Sequence, residues 1–407
     1  MKILSIFHTK PGRTNIWGVT LCELPKEYKE GDLERIVELG AGWVRLHIPW
    51  RYVEKEKGVF DFSFYDKLID RIEEKGLNVL AAVGCAYSQM LPDRILKEND
   101  ICLDLPSYLP QLKRYVTETV AHFKDKVAIW QAENEINHTE LHVVPGGWRR
   151  PAWILDQKKE IQILFCIISG IRENTSKSQI MVNLECDNPN WQKSLKAYTR
   201  SLSFDIIGID FYPSYSFIPC DPINSFPNRI LRLSEIIDTA LSFKKKVIVA
   251  EIGYPAPKEN YSEENQAAYI HHACQALLTT KAKGIFIWEL TDQTSKEPEF
   301  PEYYFGLLDK DRTTKASFEV YKEEILQSKQ TILVSVKGLL FREPKGCVDV
   351  YINEELAGKT NLDGLFMSEV LSPGKYKIKI KGWLAWQKRS RQIELLQGRP
   401  QRIKFRM

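Results

Sequence analysis

VAIWQAENEIN, residues 127–137, and VIVAEIGYP, residues 247–255, decide how this chain is read. Each is an apolar, β-prone run that ends in a carboxylate, Glu135 in the first and Glu251 in the second. Strands buried on both faces read as continuous apolar runs, and that favours a parallel sheet. When such a sheet closes into a barrel, the C-terminal ends of all its strands surround one mouth. Two carboxylates far apart in sequence can then face each other across a sugar.

Working outward, six more runs of the same kind appear: NIWGVTL (15–21), WVRLHI (43–48), NVLAAVG (78–84), QIMVNLE (179–185), FDIIGIDFY (204–212) and GIFIWEL (284–290). With VAIWQAEN (127–134) and KVIVAEI (246–252) they make eight. Between most of them lie amphipathic stretches with apolar residues at three- and four-residue spacing. DLERIVELG, SFYDKLIDRIEEKG, LPQLKRYVTETVAHF, EIQILFCIISGIRE, ILRLSEIIDTALSF and NQAAYIHHACQALLTT are the clearest. Gly40 and Gly76 stand where a left-handed helix C-cap is wanted. The pattern predicts an α/β fold, a (β/α)8 TIM barrel over residues 1–326. A doubly wound open sheet is the alternative, but no Gly-rich phosphate turn follows the first strand. From about residue 330 the helical period stops. TILVSVKG, CVDVYIN, KYKIKIKG, SRQIELLQ and QRIKFRM alternate between NLDG, SPG and QG turns. Residues 330–407 are therefore expected to form a separate small all-β sandwich domain.

The 407 residues carry 57 basic and 53 acidic side chains, a net charge of +4 without a basic block. Nucleic acid is set aside as a partner. KRSRQ near residue 388 reads as a solvated face. Apolar residues make up 43% of the chain, with ten Trp, enough for a large core. No run approaches the roughly 20 apolar residues of a membrane span, and ILSIF is too short for a signal-peptide core. The eight Cys are scattered, several inside apolar runs (Cys85, Cys166, Cys186, Cys274), as buried free thiols are. A cytoplasmic location is the expectation. The sequence leaves the oligomeric state open.

Hydrolysis of a glycosidic bond needs an acid to protonate the leaving oxygen. It also needs a carboxylate to attack the anomeric carbon or activate water. In the retaining version the pair stands roughly 5–5.5 Å apart, so one ionised carboxylate keeps the other protonated. No cofactor is required. We assign Glu135 as acid/base and Glu251 as nucleophile. Glu133 shares strand parity with Glu135 and is the rival acid. An ideal strand would turn Asn134 away from the mouth, so pairing it with Glu135 requires a local twist or bulge.

Asn134-Glu135 is similar to the Asn-Glu pair that ends strand 4 in the retaining β-glycosidases of the large (β/α)8 clan, clan A. KDKVAIWQAENEIN resembles their strand-4 stretch. WRYVEKEKGVFDFSFYDKLIDRIEEKGLNVL resembles the strand-2 to strand-3 segment of the β-galactosidase and β-xylosidase branches, and YFGLLDKDRTTKASFEVY their barrel-closing segment. The likeness covers roughly residues 15–325 and departs at Ile136, where many members carry Pro. It implies a glycoside or oligosaccharide substrate, an acid/base at Glu135 and a nucleophile at Glu251. It further implies that Arg45 lies near Glu251 and that Asn134 holds the sugar's 2-hydroxyl. By the same likeness Tyr212 is expected to donate to Glu251, and Trp288 to form the floor under the sugar. His47 and Trp50, just beyond strand 2, are expected as rim contacts.

Other residues have plainer readings. Asp187, Asp210, Glu289 and Asp292 crowd the strand ends, where salt bridges and loop caps are common. His271 and His272 fall within a helical pattern far from the mouth. HVVPGGWRRPAW, PSYSFIPCDPINSFP and SKEPEFPEYYF bring aromatics to the loops and are expected to shape the subsites. The C-terminal stretch, with VDVYINEELAGKT and LSPGKYKIKIKGW, resembles PEGA-like β-sandwich modules, and Trp383 and Trp386 are expected to pack against the barrel rather than bind glycan. A transglycosidase with the same carboxylates, or a non-catalytic glycan-binding barrel, are the alternative functions.

Overall fold

Ile and Val lead the eight apolar runs, and β-branched side chains suit strands covered on both faces. In the computed structural model of the chain all eight form strands: β1 (Ile16–Thr20), β2 (Trp43–His47), β3 (Asn78–Val83), β4 (Val127–Ala132), β5 (Gln179–Glu185), β6 (Ile206–Phe211), β7 (Lys246–Ile252) and β8 (Gly284–Ile287). Each pairs in parallel with its sequence neighbours, and β8 pairs with β1, so the barrel is closed. The structure describes residues 16–21, 24–97, 100–101, 104–138, 156–212, 226–257, 261–296, 298, 300–329, 332–337, 347–360, 365–368, 371, 374–382, 388–395 and 401–406.

Among the described residues eight helices of two turns or more accompany the strands: α1 (Asp32–Leu39), α2 (Ser63–Glu74), α3 (Leu105–Phe123), α4 (Gln157–Asn174), α5 (Trp191–Ser201), α6 (Phe226–Leu241), α7 (Glu263–Thr279) and α8 (Ala316–Lys329). The six expected helices are present, with α5 and α8 in addition. α5 buries Trp191, Leu195 and Tyr198 at helical spacing within an otherwise polar run. Side-chain caps start several helices, Asp104 for α3 and Ser262 for α7. Gly40 and Gly76 have the expected left-handed backbone, at φ 75° and 71°. Among the described residues no helix is long and apolar enough to cross a membrane.

Inside the barrel, Leu80, Ile129, Met181, Ile206, Ile248, Ala250 and Phe286 form one apolar cluster. Further along the inward faces toward the C-terminal ends, the residues change character. Thr20, Arg45, Gln131, Asn183 and Asp210 are all buried there. Buried polar groups are stable only when hydrogen-bonded, so this second tier must form a network. Gly208 makes room for it, since a Cβ at that position would stand 2.6 Å from the Cβ of Asn183.

The chain divides into two compact units, residues 15–322 and a second that holds 323–407, with the division inside α8 rather than after it. The second unit has two sheets. One contains Leu365–Met367, Ile332–Lys337 and Gln401–Arg406, in that order, and the other Glu355–Lys359, Asp349–Ile352, Gly374–Lys381 and Lys388–Leu395. Val334, Val336, Ile403 and Phe405 from the first meet Val350, Ile378 and Ile380 from the second in a single core. Trp383 and Trp386 lie outside the described residues, as do the loop segments 139–155 and 213–225.

Candidate active site

The end of β4 does what an ideal strand cannot. Glu133 and Glu135 both adopt left-handed backbone, at φ 63° and 46°. Glu133 N–H still donates to Val83 O at 2.9 Å, continuing the ladder. Its carboxylate, however, accepts from Ala86 N at 2.6 Å, and its charge is felt by Tyr108 of α3. Glu133 thus has a structural partner of its own, and the twist turns Asn134 inward. Asn134 Oδ1 accepts from Gln131 Nε2 (2.8 Å), Asn183 Nδ2 (2.8 Å) and Arg45 Nη2 (3.0 Å). Glu135 follows, half-buried, its N–H donating to Asn183 Oδ1 at 3.2 Å. Tyr87 OH lies 3.4 Å from Glu135 Oε2. Ile136 is fully buried, and Asn137 exchanges two hydrogen bonds with the backbone of Glu185, at 2.9 and 3.0 Å.

β7 reaches the mouth by another route. Val249 pairs with Ile209 and Glu251 with Asp210, which leaves Ala250 as an extra residue in the ladder. A bulge of this kind breaks the alternation of faces. Ala250 therefore lies in the inner apolar cluster and the next residue, Glu251, also points inward. Glu251 is buried, with Oε1 2.5 Å from Arg45 Nη2 and Oε2 accepting from Tyr212 OH at 2.7 Å. Burial, then the charges of Glu251 and Glu135, push the Tyr212 phenol well above its ordinary pKa, so it stays a donor. Asp187 accepts from Tyr212 N at 2.5 Å, and Phe305 meets the ring edge-on at 5.6 Å.

Arg45 joins the two ends. Besides Glu251 and Asn134 it donates to Gln131 Oε1 at 2.9 Å and to Thr20 Oγ1 at 3.4 Å. Burial alone would disfavour its charge, but its anionic neighbours, Glu251 foremost, outweigh that and raise its pKa. The guanidinium lies 5.8 Å from the ring centre of Trp288, within reach of a cation–π contact. Trp288 is 8% exposed and precedes a cis peptide bond to Glu289. His47 meets Trp288 edge-on at 6.2 Å and lies 3.7 Å from Cys85 Sγ. Burial, then the Arg45 cation, holds the His47 imidazole well below its usual pKa, so it is neutral.

Trp50 is placed differently from a rim residue. It opens a short helix, Trp50–Val53, stacks on Tyr115 at 5.1 Å and donates to Glu54, with Arg94 over its ring at 5.3 Å. Its surroundings are packing partners under the barrel wall. Asp292 likewise pairs with Lys315 at 2.6 Å, and burial raises its carboxyl to about 6. His271 and His272 lie on α7, away from the strand ends.

Gln131, Asn183 and Tyr87 contribute to the site without having been singled out in sequence. For the first two the signal was available: each is a lone polar residue at an inward position of an apolar run. Asp210, read as a loop cap, belongs here too. Glu135, Asp210 and Glu251 each bring one oxygen within 4.8 Å of the other two. Three oxygens fall short of the roughly six to eight that calcium takes, and Arg45 already neutralises Glu251. The cluster reads as acid–base chemistry.

Comparison with known proteins places the chain among glycoside hydrolases. The β-galactosidase BgaH of Haloferax lucentense is 26% identical over 169 residues, 35% of this chain and 26% of its own. The endo-1,4-β-xylanase A of Thermotoga maritima is 33% identical over 102 residues, 25% of this chain and 9% of its own. The chain thus spans well under half the length of these curated relatives. In fold it resembles GH5_18 from Streptomyces cattleya, solved in complex with GlcNAc, with a TM-score of 0.61 and 16% identity over 81% of this chain and 86% of that one. The model of glycosyl hydrolase family 53 matches residues 26–310, from before α1 to beyond β8 and both carboxylate-bearing strands, and the chain belongs to that family.

Proposed function

We propose that the chain is a retaining β-glycosidase acting by double displacement, with Glu251 as nucleophile and Glu135 as acid/base. The observation that carries this is the unequal pair: oxygens of Glu135 and Glu251 approach within 4.8 Å, yet Glu251 alone has the Arg45 ion pair. Such spacing suits direct attack rather than an intervening water. Arg45 and Tyr212 both hold the Glu251 carboxylate, fixing it in place as a nucleophile requires. Glu135, half-buried in the turn after β4, is the group assigned to carry the proton.

In the first step a Glu251 oxygen bonds to the anomeric carbon as the glycosidic C–O bond breaks, and the Glu135 proton passes to the leaving oxygen. In the second, Glu135 takes a proton from water as the water oxygen attacks the same carbon and releases Glu251. Asn134 is placed to hold the 2-hydroxyl, Trp288 to carry an apolar sugar face, and His47 to meet the sugar beside it. The substrate is a β-linked glycoside or oligosaccharide; the galactosidase and xylanase relatives make β-galactosides and β-xylosides the first choices. The C-terminal unit is read as a PEGA-like accessory module, a reading supported by its two sheets on one core.

The test is hydrolysis of aryl β-galactoside, glucoside, xyloside, mannoside and fucoside by wild type and Glu251→Ala, with azide added to the mutant. Turnover by wild type, its loss in Glu251→Ala and an α-glycosyl azide product are expected. Activity that survives Glu251→Ala overturns the assignment. Transfer to added sugar in preference to water would make the enzyme a transglycosidase. Glycan binding without any turnover would make it a binding protein.

A further inference from the structure

The double displacement uses two carboxyls, and the barrel mouth holds three. Asp210 is wholly buried at the end of β6. Its Oδ2 accepts from Asn183 Nδ2, whose other contact is Asn134 Oδ1 at 2.8 Å, while Asn183 Oδ1 accepts from Glu135 N at 3.2 Å. One amide thus ties Asp210 to both residues of the Asn134–Glu135 turn. Asp210 Oδ1 is buried and has no hydrogen-bond partner among the described residues. The groups that face Asp210 are Arg45 from β2, Glu135 after β4, Cys186 after β5, Tyr212 after β6 and Glu251 from β7.

The charges decide its state. Among the described residues the cation at this cluster is Arg45, and Glu251 holds it at 2.5 Å. Carboxylates this close in a buried site do not all ionise near neutral pH. Asp210 is fully buried and, among the described residues, has no ion-pair partner of its own. We propose that Asp210 is a positioning residue that stays a neutral carboxylic acid, its proton on Oδ1, and through Asn183 holds the Asn134–Glu135 turn for proton transfer. Burial, then the charges of Glu251 and Glu135, push the Asp210 carboxyl well above the usual range, and Arg45 and Asn183 pull against this without reversing it. A neutral Asp210 anchors the turn without setting another anion against the acid/base.

The kinetic consequence rests on the glycosidase reading; the protonation does not. Infrared spectra of the full chain near neutral pH are expected to show a protonated-carboxyl carbonyl band that Asp210→Asn removes and Glu135→Gln leaves in place. Spectra in which Asp210→Asn removes no such band overturn the proposal. In kcat/KM against pH, Asp210→Asn is expected to leave the alkaline limb within about 0.3 of a unit, whereas a limb moved acidward by about one unit or more means an ionised Asp210 and overturns it. Asp210→Ala is expected to lower kcat about 10- to 100-fold with little change in KM, as a displaced acid/base does, with Asp210→Asn restoring most of it. Should the Ala variant not fold, the Asn variant and the spectra decide alone. Wild type inactive on every glycoside would sink the glycosidase reading, and the infrared arm would still decide Asp210.

Discussion

The ends of β4 and β7 present the same group to the same space by different distortions. β4 turns two successive glutamates through left-handed backbone, so that Glu133 leaves the mouth while Asn134 and Glu135 enter it. β7 inserts Ala250 as an extra residue, so that Glu251 faces inward directly after an inward neighbour. The first device sets a carboxylate in a polar turn, half-exposed. The second sets one deep on a rigid strand, against Arg45. In the proposed double displacement the acid/base gains and loses a proton each cycle while the nucleophile is held in place. Each distortion would suit the task proposed for the carboxylate it delivers.

The largest effect that separates the two ends is kinetic. Glu251→Ala should lower kcat by about 10⁴-fold or more, and Glu135→Ala by about 10²–10⁴-fold. Only the second loss should shrink when the leaving group is a good one, because protonation is then dispensable. Azide should yield a β-glycosyl product from Glu135→Ala and an α-glycosyl product from Glu251→Ala. The same anomer from both variants would contradict the division of roles.

Arg45 touches both ends, so changing it should injure both. Lysine cannot reproduce the fork that meets Glu251, Asn134 and Gln131 together. Arg45→Lys should lower kcat about 10²-fold or more, since losing one partner of a buried pair costs about 3–5 kcal/mol. A rate within tenfold of wild type would show that the cation, not its geometry, is what matters. Glu133 provides the opposite contrast. Glu133→Ala leaves the Ala86 N–H without its carboxylate and should cost about 1–3 kcal/mol of stability in denaturant melts, while kcat falls far less than in Glu135→Ala. Equal kinetic losses would restore Glu133 as the acid.

The smallest effects are in pH. The folded Asp210 carboxyl is held well above its unfolded value of about 3.9. The folded state therefore binds more protons over that interval, and the stability this lends is present at low pH and lost as pH rises. Asp210→Asn should lessen the fall in Tm between pH 5 and 9. His47 has the opposite sign. Its folded pKa is depressed, so stability is present above about 6.5 and lost as pH falls. His47→Gln should flatten the acid side of the Tm profile. An unchanged profile in either variant would remove that group from the balance.

The barrel was legible because period and length carry it: eight apolar runs, each bounded by turn residues, recur as eight strands with ends within a few residues of those expected. Glu135 and Glu251 stood out as carboxylates closing such runs. Face alternation was a poorer guide at those two places. It makes Glu133 inward and Asn134 outward, and it makes Glu251 outward after Ala250. Local backbone departures overrule it in both strands, and nothing in the propensity of Glu or Ala announces them. Trp50 was misplaced for a related reason, since a short helix after β2 carries it into the wall. Asn183 and Gln131 left a trace as polar residues in apolar runs, but their partners come from β2, the turn after β4 and β6.

The closure of β8 onto β1 has a consequence for how the protein is made. Thr20 on β1 is made some 270 residues before Trp288, which follows the strand that completes the ring, an interval on the order of tens of seconds at about 5–20 residues per second. Arg45 lacks its counter-charge until Glu251 on β7 is made, and Asn134 waits for Asn183 on β5. A nascent chain released after β7 but before β8 would already hold these polar partners yet leave strand edges open at β1 and β7. The closing strand therefore supplies edge pairing rather than charge balance.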